Sequence, residues 1–271
     1  MRPNARVRAP GVGKTLTEYG PALLLVALVF AAWEMATGVW DIQAWLLPAP
    51  SAIAKAAVDA RALLGPHLVQ TVVETLVGFA VALIGGLVMA LLIDVSATMR
   101  RALYPLLVVS QTIPIIAVAP LLVIWFGYGL LPKVIVVGLV CFFPIVVGTA
   151  DGLRSTDPDL IALLQSMGAT RRQVFLKVRV PASLPGMFTG IKVAITYSVV
   201  GAIIGEWVGA SRGLGVFMLR ASNSFRTDWV FATIAVVSAL SLALFLAVVA
   251  IERLALPWFY TKARKETWEE M

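Results

Sequence analysis

Cysteine and histidine are almost absent: Cys141 and His67 are the single examples in 271 residues. A lone thiol within an apolar run excludes an intrachain disulfide framework. A lone histidine excludes a His-rich metal or catalytic cluster, so neither a metal site nor catalytic residues are expected. Charge is scarce too. Only 14% of residues are Asp, Glu, Lys or Arg, against about 25% in soluble globular proteins. The hydrophobic share is 60% where about 45–50% is usual, and the mean hydropathy is +0.91. This is the composition of an integral membrane protein. Acids are fewer than bases, 15 against 22, for a net charge of +7. A basic excess can mark a nucleic-acid partner, but here the bases fall at the ends of apolar runs, where membrane topology puts them. No nucleic-acid partner is expected.

What is present is a series of apolar runs. A spanning helix needs about 20 predominantly apolar residues. Six stretches qualify: Pro21–Val39, Val69–Ile93, Leu103–Phe126, Leu131–Ala150, Pro185–Val208 and Trp229–Ile251. The first lacks a convincing small-x-small cleavage site and reads as a retained anchor. Between the first two, Pro48–Leu64 is too polar to cross and reads as an interfacial helix capped by Ser51. The fold expected is an all-α polytopic membrane protein of about six spans. Residues 1–19 and 259–271 are its terminal tails, and 20–258 the membrane domain.

With both termini on one side, fifteen basic residues from Arg2 to Lys265 lie on that side. Six lie opposite: Lys55, Arg61, Lys133, Arg212, Arg220 and Arg226. The positive-inside rule then places both termini in the cytoplasm. The basic tail holds Arg8–Thr15, RAPGVGKT, which ends like a phosphate loop. Arg8 replaces the first glycine and no apolar strand precedes it, so nucleotide binding is not expected there.

Charged and broken positions within spans usually face a bundle interior or water. Thr71, Glu74, Thr75 and Gly78 share one face of the second span. The third carries Gln111, Thr112, Pro114 and Pro120, each proline removing an amide and freeing a carbonyl. Glu206 and Trp207 close the fifth span, ahead of an outer loop with an amphipathic piece near Gly213–Asn223. Glu74, Gln111, Pro114, Glu206 and Trp207 are therefore the candidates for a translocation pathway, with a packing or interfacial role as the alternative for each. Glycines 78, 85, 86, 186, 190, 201 and 205 are expected to allow close helix packing.

The longest polar interruption, Asp157–Pro185, falls on the cytoplasmic side. Asp157 caps a short helix that starts at Pro158 and has an apolar side of Leu160, Ile161, Leu163, Leu164 and Met167. Gly168 ends it. A second basic helix restarts at Thr170 and is cut by Pro181 and Pro185. This segment resembles the coupling motif of importer-type ABC transporter permeases: Glu-Ala-Ala, three residues, Gly, nine residues, Ile-x-Leu-Pro. Gly168, Val178, Val180 and Pro181 keep the frame, while Ala162-Leu163-Leu164 replace Glu-Ala-Ala and the acid is lost.

The resemblance extends through Ala119-Pro120-Leu121, Trp125-Phe126-Gly127 and Glu206–Gly215 to the permeases serving nitrate, sulfonate, taurine, thiamine-pyrimidine and riboflavin uptake. Gly213-Leu214-Gly215 and Phe225-Arg226-Thr227-Asp228 look closer to the pyrimidine-precursor and riboflavin branch. The resemblance implies a type I ABC importer fold, with a permease homodimer, two ATPase subunits that bind ATP and Mg, and an extracytoplasmic binding protein. It implies no cofactor in this chain. Contact with the ATPase would fall to Leu160, Leu163, Leu164, Met167, Gly168, Ala169, Arg171 and Pro181. An ion-coupled secondary carrier is the alternative, but no internal repeat is visible and buried acids are few. An intramembrane enzyme lacks a catalytic constellation.

Overall fold

The structure is a computed structural model that describes residues 12–259, with side chains from Gly20 onward. Most of both expected terminal tails and RAPGVGKT through Arg8–Gly11 lie outside the described residues. Every regular element described is helical. Five helices are long and apolar enough to cross a membrane, and a sixth crossing is available if one bent helix pair counts as a single span.

Among the described residues, 12–61 and 221–232 form one compact unit. Its long helix α1 (Val12–Val39) leaves nearly all of its apolar surface open from Gly20 onward. A short helix α2 (Pro50–Asp59) follows. Ser51 does not cap α2 as expected, because the N-cap is Ala49 and Pro50 takes the first turn. The cap comes from elsewhere. Ser51 donates its amide to Glu34 at 3.0 Å and its hydroxyl at 2.6 Å, placing a carboxylate at the helix N-terminus, where free amides favour one. The interfacial helix expected over Pro48–Leu64 stops at Asp59, and a new helix begins at Arg61.

Among the described residues, 62–220 and 233–259 form the second unit. Its centre is three helices: α3 (Arg61–Val95), α6 (Leu130–Arg154) and α9 (Val180–Gly209). Ala82 of α3, Val137, Cys141 and Ile145 of α6, and Ala194 and Ala202 of α9 form one buried cluster. Small residues set the spacing. A Cβ on Gly148 would lie 2.8 Å from the Gly190 Cα, and one on Gly86 would lie 2.8 Å from Ile145. Both contacts exist only because the side chain is absent. Gly85 meets only an ordinary contact with Phe142. The last helix, α11 (Thr227–Ala255), places Glu252 beside Lys192 of α9 at 2.9 Å. An ion pair here removes the cost of a lone charge in a span.

The third expected span is not one helix. It divides into α4 (Ala97–Ser110) and α5 (Ile115–Phe126), bent by 95°. Pro114 has no amide for the Ser110 carbonyl. Around the break, Ser110 donates its hydroxyl to the Leu107 carbonyl at 2.7 Å and Thr112 to that of Val109 at 2.8 Å. Side chains thus engage carbonyls next to the interruption, as buried or water-lined broken helices require. Pro120, expected to disturb the same span, sits inside α5 without ending it.

Candidate functional site

The coupling segment is built by local capping. The Asp157 carboxylate accepts from the Asp159 amide at 2.8 Å and starts α7 (Pro158–Ser166). Gly168 ends it with φ +87°. Around that turn the Gly168 amide reaches the Gln165 carbonyl and the Ala169 amide reaches that of Leu164, each at 3.0 Å. A glycine takes this left-handed conformation without a Cβ penalty. Thr170 and Gln173 then form a reciprocal capping box that starts α8 (Arg171–Val174).

The second half of the segment departs from expectation. Pro181 and Pro185 do not cut it. One π-turn, Phe175–Arg179, carries α8 directly into α9, with the Val180 amide donating to Phe175 five residues back. The widened turn accommodates Pro181 at the start of α9, and the helix is continuous from Arg171 to Gly209, 39 residues. Arg179 fixes this join. Its guanidinium makes bonds of 3.0 and 2.7 Å to both oxygens of Asp94 on α3, and one of 3.0 Å to the Leu153 carbonyl of α6. Sequence reasoning missed Asp94, since a carboxylate 85 residues away gives no local signal.

Helix α7 buries no residue. Leu163 is 56% and Met167 76% exposed, with Leu160 beside them. Leu164 is half-buried, and with Met167, Gly168 and Ala169 it borders a cavity of about 350 Å³. Arg171 is exposed and Pro181 half-buried.

The five pathway candidates separate into two groups. Gln111, Pro114 and Trp207 are exposed. Gln111 borders a largely apolar cavity of about 500 Å³, together with Phe143, Pro144, Thr189, Val193 and Tyr197. Trp207 borders a second of about 540 Å³ with Tyr128 and Ser211. One stripe of α9 links the two: Thr189, Val193, Thr196, Tyr197, Val200 and Trp207 are all exposed on its surface. The Thr189 and Thr196 hydroxyls donate to carbonyls of their own helix, leaving each oxygen able to accept.

Glu74 and Glu206 are instead enclosed within the bundle, at 0% and 1% exposure. Thr71, Thr75 and Gly78, expected on the same face as Glu74, are buried with it. Lys133 corrects the charge count. It is not a solvated outer residue but is 6% exposed, with its ammonium 2.6 Å from Glu74 Oε1. Gln70 Nε2 donates to the same oxygen at 2.7 Å. Glu206 holds the loop that follows α9. Its Oε1 accepts from Thr71 Oγ1 at 2.6 Å and its Oε2 from the Gly215 amide. The Leu214 amide donates to Thr71 Oγ1 at 2.9 Å, and the Gly213 amide to His67 Nδ1 at 2.9 Å. These amides open helix α10 (Leu214–Asn223), so the carboxylate sits where a helix N-terminus favours negative charge. Gly213, at φ +139°, packs its Cα against the Glu206 carboxyl, and a Cβ there would collide with it. The Gly213-Leu214-Gly215 motif is thus read by Glu206. His67, Gln70 and Lys133 were missed; the available signal was Glu206 followed by that glycine pair.

Residues 82–256 match the family model described as binding-protein-dependent transport system inner membrane component. The chain belongs to that family. It is the permease subunit of an ABC importer and a multi-pass membrane protein. Among its relatives, the formylaminopyrimidine transport permease protein ThiX of Halalkalibacterium halodurans is 41% identical over 236 residues, covering 87% of this chain and 94% of the relative. The riboflavin transport system permease protein RibX of Chloroflexus aurantiacus is 34% identical, covering 88% and 89%. A structure of the MetNI methionine ABC transporter in an inward-facing conformation matches with TM-score 0.64 at 21% identity, covering 72% of this chain and 97% of that one. That likeness extends to the fold alone.

Proposed function

We propose that two copies of this permease enclose a translocation route for a small heterocyclic solute, of the pyrimidine-precursor or riboflavin type, with sulfonates, taurine and nitrate next in order. An extracytoplasmic binding protein delivers the solute. Two ATPase subunits, which bind the ATP and Mg, dock on the α7 face from the cytoplasm, where both termini of this chain also lie. The observation that carries the reading is the exposed Leu160, Leu163 and Met167 on a helix whose exit is set by Gly168. A soluble ATPase groove is the partner such a surface fits on a membrane subunit.

The geometry supplies a linkage. The continuous helix from Arg171 to Gly209 is about 58 Å long at 1.5 Å per residue. One end abuts the Gly168 turn and the other carries Trp207. Displacement of α7 by a closing ATPase pair tilts this rod, and with it the α9 stripe that lines the route. Two rigid units rocking about a two-fold axis can open and close a path that a lone bundle, tightly packed through its glycines, cannot. The identity to the formylaminopyrimidine permease supports the substrate class.

Proteoliposomes holding the permease, its ATPase and the binding protein test the proposal. Uptake of labelled formylaminopyrimidine should require ATP and survive ionophores. Uptake that follows an ion gradient without ATP would identify the secondary-carrier alternative instead.

A further inference from the structure

A further cavity, of about 500 Å³, lies at the coupling end of the bundle. It is bordered by the end of α3, the start of α4, the end of α6 and the faces of α7 and α8 that point back towards the bundle. Four arginines line it, Arg100, Arg154, Arg171 and Arg179, against one carboxylate, Asp94. That carboxylate is committed, since both of its oxygens bond to Arg179. No ion pair joins Arg100, Arg154 or Arg171 to an acid among the described residues. Three guanidinium groups on three different helices thus share one concavity with no ion-pair partner among the described residues. A further polar group faces it: Thr156, 7% exposed, has a buried hydroxyl with no partner.

We propose that this cavity binds a phosphate group, held by Arg100, Arg154 and Arg171 and completed by the Thr156 hydroxyl. Guanidinium forks match phosphate oxygens in pairs, and several can share one phosphate. The hydroxyl supplies one further donor to a phosphate oxygen, and gains the partner a buried polar group requires. The position favours a phosphodiester of an anionic lipid as the source. Ile93 and Leu153, at the ends of two spans, form part of the wall, which is the depth where headgroups meet juxtamembrane arginines. A free phosphate ion has the same chemistry and is the other source. Because Pro158, Ile161 and Gln165 of α7 also border the cavity, the occupant bridges the coupling helix to α4 and α6. The binding claim stands on the cavity alone. Its consequence for coupling rests on the function proposed above.

The test uses the purified full chain in nanodiscs of phosphatidylcholine, with or without phosphatidylglycerol, and separately in detergent with inorganic phosphate. Native mass spectrometry reads retained lipid, and thermal denaturation reads protection. We expect phosphatidylglycerol to be retained and to raise the melting temperature. The Arg100→Gln, Arg154→Gln, Arg171→Gln triple variant should reduce retention at least tenfold, and Thr156→Val severalfold. Arg101→Gln, an exposed neighbour outside the cavity, should match the wild type. Protection by inorganic phosphate that the triple variant loses, without lipid retention, supports the site and assigns it to free phosphate. No protection from either source overturns the proposal, as does equal loss in the triple variant and Arg101→Gln. Should the triple variant fail to fold, Thr156→Val and Arg171→Gln singly carry the same comparison. Loss of retention with substrate uptake intact would keep the site and remove its coupling role. Loss of uptake with retention intact would instead bear on the proposed function.

Discussion

The two ends of the α3–α6–α9 bundle treat polar residues in opposite ways. At the Glu206 end, carboxylates, an ammonium, hydroxyls and loop amides are bonded to one another and buried. At the coupling end, Arg179 and Asp94 make one internal tie, while Leu160, Leu163 and Met167 are left exposed. Burial marks the first end as a lock that fixes the outer loop on its helices. Exposure leaves the second end open to a partner, which in the proposed function is the ATPase. Both carry the charged and glycine residues that stand out in the sequence, and it is burial that separates a structural role from a docking role.

The largest way to break this contrast is Lys133→Met. It leaves Glu74 buried without its ion-pair partner, which should cost about 3–5 kcal/mol, read as a lowered melting temperature of the purified protein. Adding Glu74→Gln should recover much of that loss. A single variant as stable as the wild type would mean the pair is not a lock. Gly213→Ala comes next. The new methyl meets the Glu206 carboxyl in a backbone conformation that alanine rarely adopts, at a cost of order 1–3 kcal/mol. Amides at 213–217 should exchange faster with solvent while those in the core of α6 stay protected. Uniform exchange across both would contradict a local latch.

The opposite pattern is expected at the coupling end. Leu163→Glu should alter folding stability by no more than about 0.5 kcal/mol, as exposed substitutions do, yet sharply reduce recovery of the ATPase with the permease. With the motif acid absent at Ala162, docking should depend on apolar contact, so raised salt should leave the complex intact. Release of the ATPase by moderate salt would show that ionic contacts hold it. The smallest effect on stability belongs to Gln111→Cys and Pro114→Cys. Both should react with aqueous thiol reagents and change reactivity when nucleotide is trapped, whereas Thr75→Cys, buried in the bundle, should stay unlabelled. Silence at both exposed positions in every nucleotide state would move the route elsewhere.

Much of this was legible because hydropathy and capping are local. The spans follow from runs of apolar residues, and Asp157, Pro158 and Gly168 announce α7 within a dozen positions. Three features were not local. Lys133 was counted only among the bases of the outer side, since nothing adjacent reveals that Glu74, 59 residues earlier, pairs with it inside the bundle. Glu206 was a pathway candidate, and nothing near it in sequence showed that Thr71, 135 residues away, supplies its hydroxyl partner. Pro181 and Pro185 signal helix breaks in one dimension, and the π-turn at Phe175–Arg179 accommodates the first of them. At Pro114 an interruption within one span was expected, and the chain turns there by 95°.

The central claim is that the Gly168 turn sets how α7 transmits ATPase movement to α9, and Gly168→Leu tests it most directly. No atom lies within 4 Å of the position a Cβ would take, so space is not the obstacle; φ +87° is. Left-handed geometry costs a residue with a Cβ about 1–2 kcal/mol, enough to redirect the turn while leaving the spans in place. In reconstituted complexes containing the ATPase and the binding protein, the account predicts normal membrane insertion and continued ATP hydrolysis, with substrate neither stimulating that hydrolysis nor entering the vesicles. Full substrate-stimulated hydrolysis and uptake by Gly168→Leu would contradict it.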